Sequence, residues 1–572
     1  MRLSFAGHGA SRGLALGRAR VRLPHALEVG EHHVPASKVA AEVARLHDAI
    51  EAARAEMRAL REKLQGALSH EAIEFIDLHA LLLDDPELVA ALDALIRQER
   101  YSAGHALRAQ RDRLAAVFAA MDDPYLKSRL DDLDHIIGRI NAHLHRHEPV
   151  PRGTAGEVLV CDNVAPSELA QLQAQGVVAI VSAAGSPLSH SAILARSLHL
   201  PLVVGASDAL QRINDGDVLM VDGETGEVVV EPGAADLRRY QQREQQEARE
   251  RRDLERLRRK PTRTLDGVDI ALHANAESRE DVARAHALGA AGLGLFRTEF
   301  LFLRSAELPD EDEQFRVYRD AVLGMSGRPV TFRTLDLGAD KADRAGLALA
   351  NEDNPALGVR GVRLSLLYER VFDTQLRAIA RASAYGPVRV LVPMVSCREE
   401  MLLVRRRLRR AVAALRRGGV RVEVPPLGAM IEVPAVAIGV QGLVDAVDFM
   451  SIGTNDLVQY LLAVDRNNDA LGDLYSPLHP GVLRLLAHVI GAGERSGTPV
   501  AVCGEIAGDA RLAPLLLALG LREFSLHPSS LLELRRAIRD CRLHDLRARA
   551  DALLQARDRA GIERWLAKAV PA

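Results

Sequence analysis

Residues 427–457 read LGAMIEVPAVAIGVQGLVDAVDFMSIGTNDL. Two short apolar segments, Leu427–Ile431 and Asp448–Ser451, are predicted strands, and a helical pattern separates them. An acidic side chain follows each strand, Glu432 after the first and Asp456 after the second. The order of strand, polar residue and helix predicts one unit of a repeating β/α architecture.

The same alternation continues through residues 261–572. Eight candidate strands alternate there with helical patterns, as a closed (β/α)8 barrel requires: Ile270–His273, Leu293–Phe296, Val330–Phe332, Val390–Val392, Leu427–Ile431, Asp448–Ser451, Val500–Val502 and Glu523–Leu526. Such barrels carry catalytic residues just past the carboxyl ends of their strands. Polar or reactive side chains follow the strands here, namely Asn275, Arg297, Arg333, Glu432, Asn455, Asp456 and Cys503. The sequence therefore predicts an active site at the C-terminal mouth of a barrel.

A different pattern covers the N-terminal part of the chain. Strand-like segments such as Ala15–Val21 and Val177–Val181 predict a small α/β domain. Helical periodicity with few β-branched residues predicts an inserted helical bundle, and a charged run of mixed sign predicts a solvated linker helix. The expected parts are an α/β domain, a helical insertion, a linker helix and the barrel, at residues 1–22 with 148–233, 23–147, 234–260 and 261–572.

Composition narrows the class of protein. The 572 residues include 74 Lys and Arg against 77 Asp and Glu, so no basic field for nucleic acid is expected. No segment approaches the roughly 20 apolar residues that a membrane span needs, and the first residues lack a leader-like apolar core. The four cysteines show neither metal-ligand spacing nor a disulfide framework. We expect a cytoplasmic enzyme that contacts neither nucleic acid nor membrane.

The predicted mouth is rich in arginine. Arg297 and Arg333 end consecutive strands, and Arg360 and Arg466 lie on neighbouring loops. Guanidinium groups are planar, permanent cations that bind phosphate or carboxylate with two donors. Four of them at one barrel face predict a small polyanionic substrate, whereas any one alone is more simply a surface ion pair.

Other side chains at the mouth suggest the chemistry. Glu432 and Asp456 are hard oxygen ligands, and without neighbouring histidines they favour Mg²⁺ over zinc. An unperturbed thiol titrates near pH 8.5, so Cys503 could donate a proton, although a buried core cysteine is the alternative. Arginines, magnesium and a proton donor suit a phosphorylated enol that becomes a ketone.

A second candidate centre lies in residues 185–196, GSPLSHSAILAR. His190 stands between a Gly/Pro turn and an apolar helical run, with Ser189 and Ser191 as candidate caps. A helix start offers free N–H groups and the positive end of its dipole to an added phosphate. The alternative is a surface histidine beside a serine cap.

Together these motifs resemble enzyme I of the bacterial phosphoenolpyruvate-dependent sugar phosphotransferase system. The resemblance covers essentially the full chain and rests on the His190 segment and on GLGLFRTEFL at 292–301, RTLDLG at 333–338 with Asp340 and Lys341, EDNP at 352–355 with Gly358 and Arg360, and SIGTNDL at 451–457. It implies that His190 accepts the phosphoryl group of phosphoenolpyruvate and that Cys503 protonates the enolate to release pyruvate. It implies Mg²⁺ on Glu432 and Asp456, and substrate contacts from Arg297, Arg333, Lys341, Arg360, Asn455 and Arg466.

The resemblance also implies partners. The family passes phosphate to the small carrier protein HPr, which docks on the helical insertion, and its barrels form homodimers. An acidic face would suit a basic carrier surface, and its candidate residues are Glu71, Glu74, Asp77, Asp84 and Asp85.

The segment before His190 departs from the family pattern. Ser186, Pro187 and Leu188 stand where the family usually has glycine, a variable residue and threonine, and Leu169 replaces another threonine. Those threonines could hydrogen-bond the imidazole and so set its tautomer. Their absence leaves open which group sets the tautomer of His190.

Three other functions remain open. A nitrogen-branch regulatory enzyme I would share these motifs, as would a phosphorelay scaffold that has lost turnover. A dikinase-like enzyme needs a nucleotide-binding domain, and residues 1–184 lack a Gly-rich phosphate loop of the Walker type.

Overall fold

A computed structural model shows two compact units, residues 1–249 and 250–572. It describes residues 3–22, 32–64, 83, 85–119, 136–141, 143–144, 156–164, 166–187, 189–303, 307–338, 347, 352–466, 471 and 474–569. Among these residues, no helix is both long and apolar enough to cross a membrane.

An eight-stranded mixed sheet forms the core of the first unit. Its order is β1-β8-β7-β3-β4-β5-β6-β2, with β1 Leu3–Ala6, β2 His8–Ser11, β3 Leu14–Arg22, β4 Glu157–Cys161, β5 Ala179–Ser182, β6 Leu202–Val204, β7 Val218–Asp222 and β8 Glu227–Val230. β3 to β6 are parallel neighbours, and the other pairs are antiparallel. The sequence patterns missed β1, β2 and β8. The partners of β1 and β2 lie in distant parts of the chain, whereas β8 pairs with its neighbour β7 as well as with β1.

Helices complete the first unit. In the described residues they include α1 Val39–Leu64, α2 Pro86–Gln98, α3 Ala103–Ala119, α4 Pro166–Ala174, α5 His190–Ser197, α6 Ala209–Arg212 and α7 Ala234–Glu255. The first three lie in the insertion between the parallel strands β3 and β4, and Leu46, Leu92 and Leu107 belong to their common core. α7 begins at the first residue of the predicted linker helix, 234–260, but ends at Glu255, and the boundary between the units falls inside it.

The second unit contains a closed barrel of eight parallel strands, which confirms the predicted (β/α)8 fold. The strands are β9 Ala271–Ala276, β10 Leu293–Phe296, β11 Val330–Arg333, β12 Val388–Val392, β13 Leu427–Ile431, β14 Phe449–Gly453, β15 Val500–Cys503 and β16 Glu523–Leu526. Closure comes from β16 beside β9, where Ser525 is in register with His273.

Small differences from the predicted strand ends bear on the site. Asn275 lies within β9 and not after it, and its side chain accepts a hydrogen bond from Ser525 Oγ at 2.6 Å. Arg333 and Cys503 are the last residues of their strands. Strand pairing extends these strands because neighbouring backbones supply partners that single-strand patterns do not show.

The helices of the second unit surround the barrel core. They are α8 Arg279–Ala287, α9 Glu299–Leu303, α10 Glu311–Gly324, α11 Val362–Leu367, α12 Glu369–Ala382, α13 Arg398–Arg417, α14 Pro434–Ile438, α15 Thr454–Leu462, α16 Pro480–Ser496, α17 Glu505–Gly508, α18 Ala513–Ala518, α19 Leu531–Arg539, α20 Leu543–Ala548, α21 Ala550–Leu554 and α22 Arg559–Ala569. A small apolar cluster that includes Leu295, Met430 and Cys503 is separate from the larger core that contains Phe332 and Phe524.

Candidate active site

Two arginines share one buried carboxylate at the C-terminal mouth of the barrel. Arg360 donates from Nε and Nη2 to the two oxygens of Asp336, at 3.0 and 2.9 Å. Arg333 Nη1 lies 3.2 Å from Asp336 Oδ2, and its Nη2 lies 3.1 Å from Glu299 Oε1. Burial opposes the charge on Asp336, but Arg333 and Arg360 outweigh it and lower the pKa of that carboxyl. The cluster therefore holds two permanent cations close together.

Asp456 extends this cluster. Arg360 Nη2 donates to Asp456 Oδ2 at 3.4 Å, and Arg466 Nη1 lies 3.9 Å from Asp456 Oδ1. Asp456 Oδ1 is buried and has no hydrogen-bond partner. Arg360 also donates to the hydroxyl of Tyr460 at 3.3 Å. The sequence patterns did not single out Tyr460, because nothing local to it marks a contact 100 residues away.

Arg297 follows β10 and forms an ion pair with Glu277, and both side chains are partly exposed. Asn455, at the start of α15, accepts a hydrogen bond from the Glu505 N–H at 3.1 Å. Gly504, directly before Glu505 in the chain, has φ +131°, and a Cβ there would overlap Thr454. That conformation and that close approach both require glycine.

Glu432 is fully buried directly after β13. Its Oε1 accepts the Met394 N–H at 2.6 Å. Burial, with the charges of Asp456 and Asp336 adding to it, raises the pKa of Glu432 to about 8. A divalent cation held by Glu432 and Asp456 would relieve this repulsion and satisfy Asp456 Oδ1.

No larger metal cluster accompanies these two carboxylates in the described part of the chain, where no group of three or more His, Cys, Asp or Glu side chains is arranged to hold an ion. Mg²⁺ is commonly bound through one or two carboxylates together with water and substrate phosphate. The two carboxylates therefore fit Mg²⁺ better than an ion that needs an all-protein cage.

Cys503 ends β15 and is 3% exposed. Ser451 Oγ donates to its Sγ at 3.1 Å, and the thiol donates to the Ile452 carbonyl at 3.5 Å. Burial raises the pKa of the Cys503 thiol to about 11, against the lowering effect of the Ser451 hydrogen bond. The group is therefore a protonated thiol at neutral pH.

His190 is the first residue of α5. Ser189 is the N-cap and accepts the Ala192 N–H at 3.3 Å, while Ser191 Oγ donates to the Val164 carbonyl at 2.6 Å. Leu169 is buried in the apolar core of this unit, and its aliphatic side chain can offer no hydrogen bond. Of the two candidate caps, Ser189 is the capping residue and Ser191 attaches the helix to the Val164 loop.

Several predicted residues lie outside the described part of the chain: Lys341, Glu71, Glu74, Asp77, Asp84 and Leu188. Asp85 is described, and its side chain caps α2 by accepting the Glu87 N–H at 2.8 Å.

The main addition to the predicted site is the set of carboxylates that hold the arginines. Glu277, Glu299 and Asp336 pair with Arg297, Arg333 and Arg360. Asp336 lies in the motif RTLDLG and Glu299 in the motif GLGLFRTEFL. Each stands close in sequence to an arginine of its own motif, and this short spacing is the signal from which an ion pair could have been predicted.

Known proteins are similar to this chain along most of its length. Three family models match the chain: "PEP-utilising enzyme, N-terminal" at residues 6–129, "PEP-utilising enzyme, mobile domain" at 153–226 and "PEP-utilising enzyme, PEP-binding domain" at 251–543. The third covers the barrel and its candidate site.

Curated relatives match over nearly the whole chain. The phosphoenolpyruvate-protein phosphotransferase of Cupriavidus necator is 43% identical over 572 residues, covering 97% of this chain and 98% of that protein. The proteins of the same name from Geobacillus stearothermophilus and Priestia megaterium are 39% and 38% identical, covering 92% and 96% of both chains. The solved structure titled "NMR solution structure of Enzyme I (nEIt) protein using two 4D-spectra" is 28% identical, covers 42% of this chain and 99% of that chain, and has a TM-score of 0.37. By the identity and coverage of the relatives and the three matched domains, the chain belongs to the phosphoenolpyruvate-protein phosphotransferases, a family of phosphoenolpyruvate-utilising enzymes.

Proposed function

We propose that this chain transfers the phosphoryl group of phosphoenolpyruvate to its own His190, releases pyruvate, and then passes the group to a histidine of HPr. This is the first step of the sugar phosphotransferase system. The observation that carries the proposal is the buried arginine–carboxylate cluster at the barrel mouth, inside the region that matches the PEP-binding domain.

The charges of the site suit the transfer. In this proposal Arg297, Arg333 and Arg360, with Lys341 and Arg466, bind the phosphate and carboxylate, and Asn455 contacts the substrate. Arg333 Nε is buried without a hydrogen-bond partner, and a phosphate oxygen would satisfy it. Glu432 and Asp456 would hold Mg²⁺, which when bound neutralises charge on the transferring group.

The first half-reaction is an in-line displacement. A ring nitrogen of neutral His190 attacks phosphorus, so an N–P bond forms while the P–O bond to the enol breaks. The enolate of pyruvate leaves, and the Cys503 thiol donates its proton to the enolate carbon. A thiol with a pKa of about 11 is protonated at neutral pH and can therefore act as this acid. The thiolate regains a proton from solvent.

The proposal assigns a role to each part of the chain. Residues 1–22 with 148–233 form the phosphohistidine domain, 23–147 bind HPr, 234–260 link the units, and 261–572 bind phosphoenolpyruvate and form a homodimer. The acidic residues Glu71, Glu74, Asp77, Asp84 and Asp85 are the proposed docking face for a basic carrier. His190 and the arginines belong to different units. In this proposal, His190 reaches the arginines during one step of the cycle and HPr during the other.

The test is intact-mass and peptide mass spectrometry at alkaline pH after incubation with Mg²⁺ and phosphoenolpyruvate. We expect one acid-labile phosphate on His190, none on His190→Ala, and none without Mg²⁺. The matched control is His199→Asn, an exposed histidine of the same unit at φ +54°, where asparagine is tolerated; it should be labelled like the wild type.

Other outcomes would overturn the proposal. Labelling by ATP but not by phosphoenolpyruvate would favour a dikinase-like donor, and absence of any labelling would favour a scaffold. A labelled chain that does not pass its phosphate to HPr would refute the second half-reaction.

A further inference from the structure

Four polar side chains form a buried chain beside the candidate site. They are Thr298, Gln314, Tyr318 and Gln375, and each is at most 1% exposed. Gln314 and Tyr318 lie on α10, Gln375 lies on α12, and Thr298 directly precedes α9. Buried polar groups destabilise a protein unless each is hydrogen-bonded, so the partners of these four side chains show what the arrangement holds in place.

Gln375 holds the segment that carries Arg333. Its Oε1 accepts the Leu335 N–H at 2.9 Å. Its Nε2 donates to Thr298 Oγ1 at 3.1 Å, and Thr298 Oγ1 donates to the Arg333 carbonyl at 2.9 Å. The Gln375 amide is therefore hydrogen-bonded to the backbone after Thr334 directly, and to the backbone before it through the Thr298 hydroxyl.

The direction of these hydrogen bonds is determined by chemistry. The Leu335 N–H can only donate, so the amide oxygen of Gln375 must face it and the amino group must face the hydroxyls. Thr298 accepts from that amino group and so has its own proton free for the Arg333 carbonyl. The amide thus has a single orientation in which every group is satisfied.

Tyr318 and Gln314, the remaining members of this hydrogen-bonded row, support that orientation of the Gln375 amide. Gln375 Nε2 also donates to the Tyr318 hydroxyl at 3.3 Å, and Tyr318 donates to Gln314 Oε1 at 3.1 Å. Gln314 Nε2 then donates to the Pro309 carbonyl at 3.0 Å. Burial raises the pKa of Tyr318, so the hydroxyl keeps the proton that it donates.

We propose that Gln375 is a positioning residue for phosphoryl transfer, fixing the backbone from Arg333 to Leu335 so that the Arg333 guanidinium is held between Glu299 and Asp336 and directed at the substrate phosphate. This rests on the proposed role of Arg333 in binding phosphoenolpyruvate. Gln375 is linked to Leu335 directly and to Arg333 through Thr298, whereas the hydrogen bonds of Gln314 go to Tyr318 and Pro309.

The test compares variants of the full-length protein that change either end of this hydrogen-bonded row of side chains. Gln375→Leu removes the acceptor of the Leu335 N–H and the donor to Thr298. Thr298→Val removes the hydroxyl on the Arg333 carbonyl without changing side-chain volume greatly. Gln314→Leu is the matched control. The rate of His190 labelling is measured against phosphoenolpyruvate concentration with Mg²⁺ present, and melting temperatures are recorded for all variants.

We expect Gln375→Leu and Thr298→Val to raise the half-saturating phosphoenolpyruvate concentration about tenfold, equivalent to about 1.4 kcal/mol, with a smaller change in maximal rate. Gln314→Leu should stay within about twofold of the wild type even where its melting temperature falls as much. If Gln375→Leu does not fold, Thr298→Val decides the matter. Unchanged half-saturation in the Gln375 and Thr298 variants, or an equal rise in Gln314→Leu, would overturn the inference.

Titration calorimetry with phosphoenolpyruvate separates this inference from the proposed function. A wild type that binds phosphoenolpyruvate but does not label His190 refutes the proposed transfer, while weaker binding by Gln375→Leu alone still supports the positioning role. A wild type that does not bind phosphoenolpyruvate overturns both.

Discussion

Replacing Asp336 with asparagine is expected to destabilise the barrel unit by about 3 kcal/mol. The Asp336 side chain is 1% exposed and has three contacts with guanidinium nitrogens, at 2.9, 3.0 and 3.2 Å. Removing one partner from a buried ion pair costs about 3 to 5 kcal/mol, because the remaining charge stays desolvated. The lower end applies because Arg333 keeps Glu299 as a partner and Arg360 keeps Asp456.

Differential scanning calorimetry of the full chain measures this effect. For a domain of this size, 1 kcal/mol corresponds to about 2 °C in melting temperature, so the barrel transition should fall by about 6 °C. The control is Asp269→Asn, which removes an equally well-formed two-point contact to Arg263, at 2.7 and 2.9 Å, from an exposed site. Exposed ion pairs contribute little to stability, so this variant should melt like the wild type. Equal losses in the two variants would refute the argument from burial.

Three further predictions follow from groups elsewhere in the barrel unit. Cys503, buried with a pKa of about 11, should react with iodoacetamide at pH 7.5 far more slowly than the exposed Cys397, as peptide mass spectrometry will show; equal rates would contradict its burial. A hydrogen bond from Thr264 lowers the pKa of Asp266 most, and two N–H groups at the start of α20 lower it further. The ionised Asp266 therefore stabilises the fold at every pH above its pKa in the unfolded chain, which is about 3.9. The stability gap between wild type and Asp266→Asn, measured in urea, should therefore be constant above about pH 5 and shrink as the pH falls toward the lowered pKa; a gap that grows on acidification would contradict this sign. The Arg535 side chain is 2% exposed and donates five hydrogen bonds, which Arg535→Met removes, leaving several backbone carbonyls unsatisfied. The free energy of unfolding, measured by urea titration, should fall by at least about 3 kcal/mol. A loss below about 1 kcal/mol would show that water replaces these bonds.

Much of the site could be located from strand ends alone. Glu432, Asp456 and Cys503 lie where parallel strands finish or the next helix begins, and parallel closure brings all such positions to one mouth. The roles of these residues stay predictions. Their environments were less accessible from sequence. The ordinary thiol pKa near 8.5 already predicts a protonated Cys503 at neutral pH, and only the structure shows that burial raises this pKa to about 11.

The contacts that hold the site in place were not predictable from local pattern. Gln375 lies among the buried residues of a helix with a clear apolar face. Its position in that pattern does not show that its amide pairs with Leu335, 40 residues earlier in the sequence. Periodicity along a helix or strand records which face is buried, but not which side chain of another element meets it.

The sequence by itself determined the barrel, the helical insertion and the family, because apolar periodicity and quoted motifs are properties of contiguous residues. The tertiary structure decided how the charges are arranged: that Asp336 lies between Arg333 and Arg360, that Glu432 is buried near Asp456, and that the short strands β1, β2 and β8 complete the first sheet. Electrostatic energy depends on distance in space and on burial, and both quantities arise only when distant segments pack together.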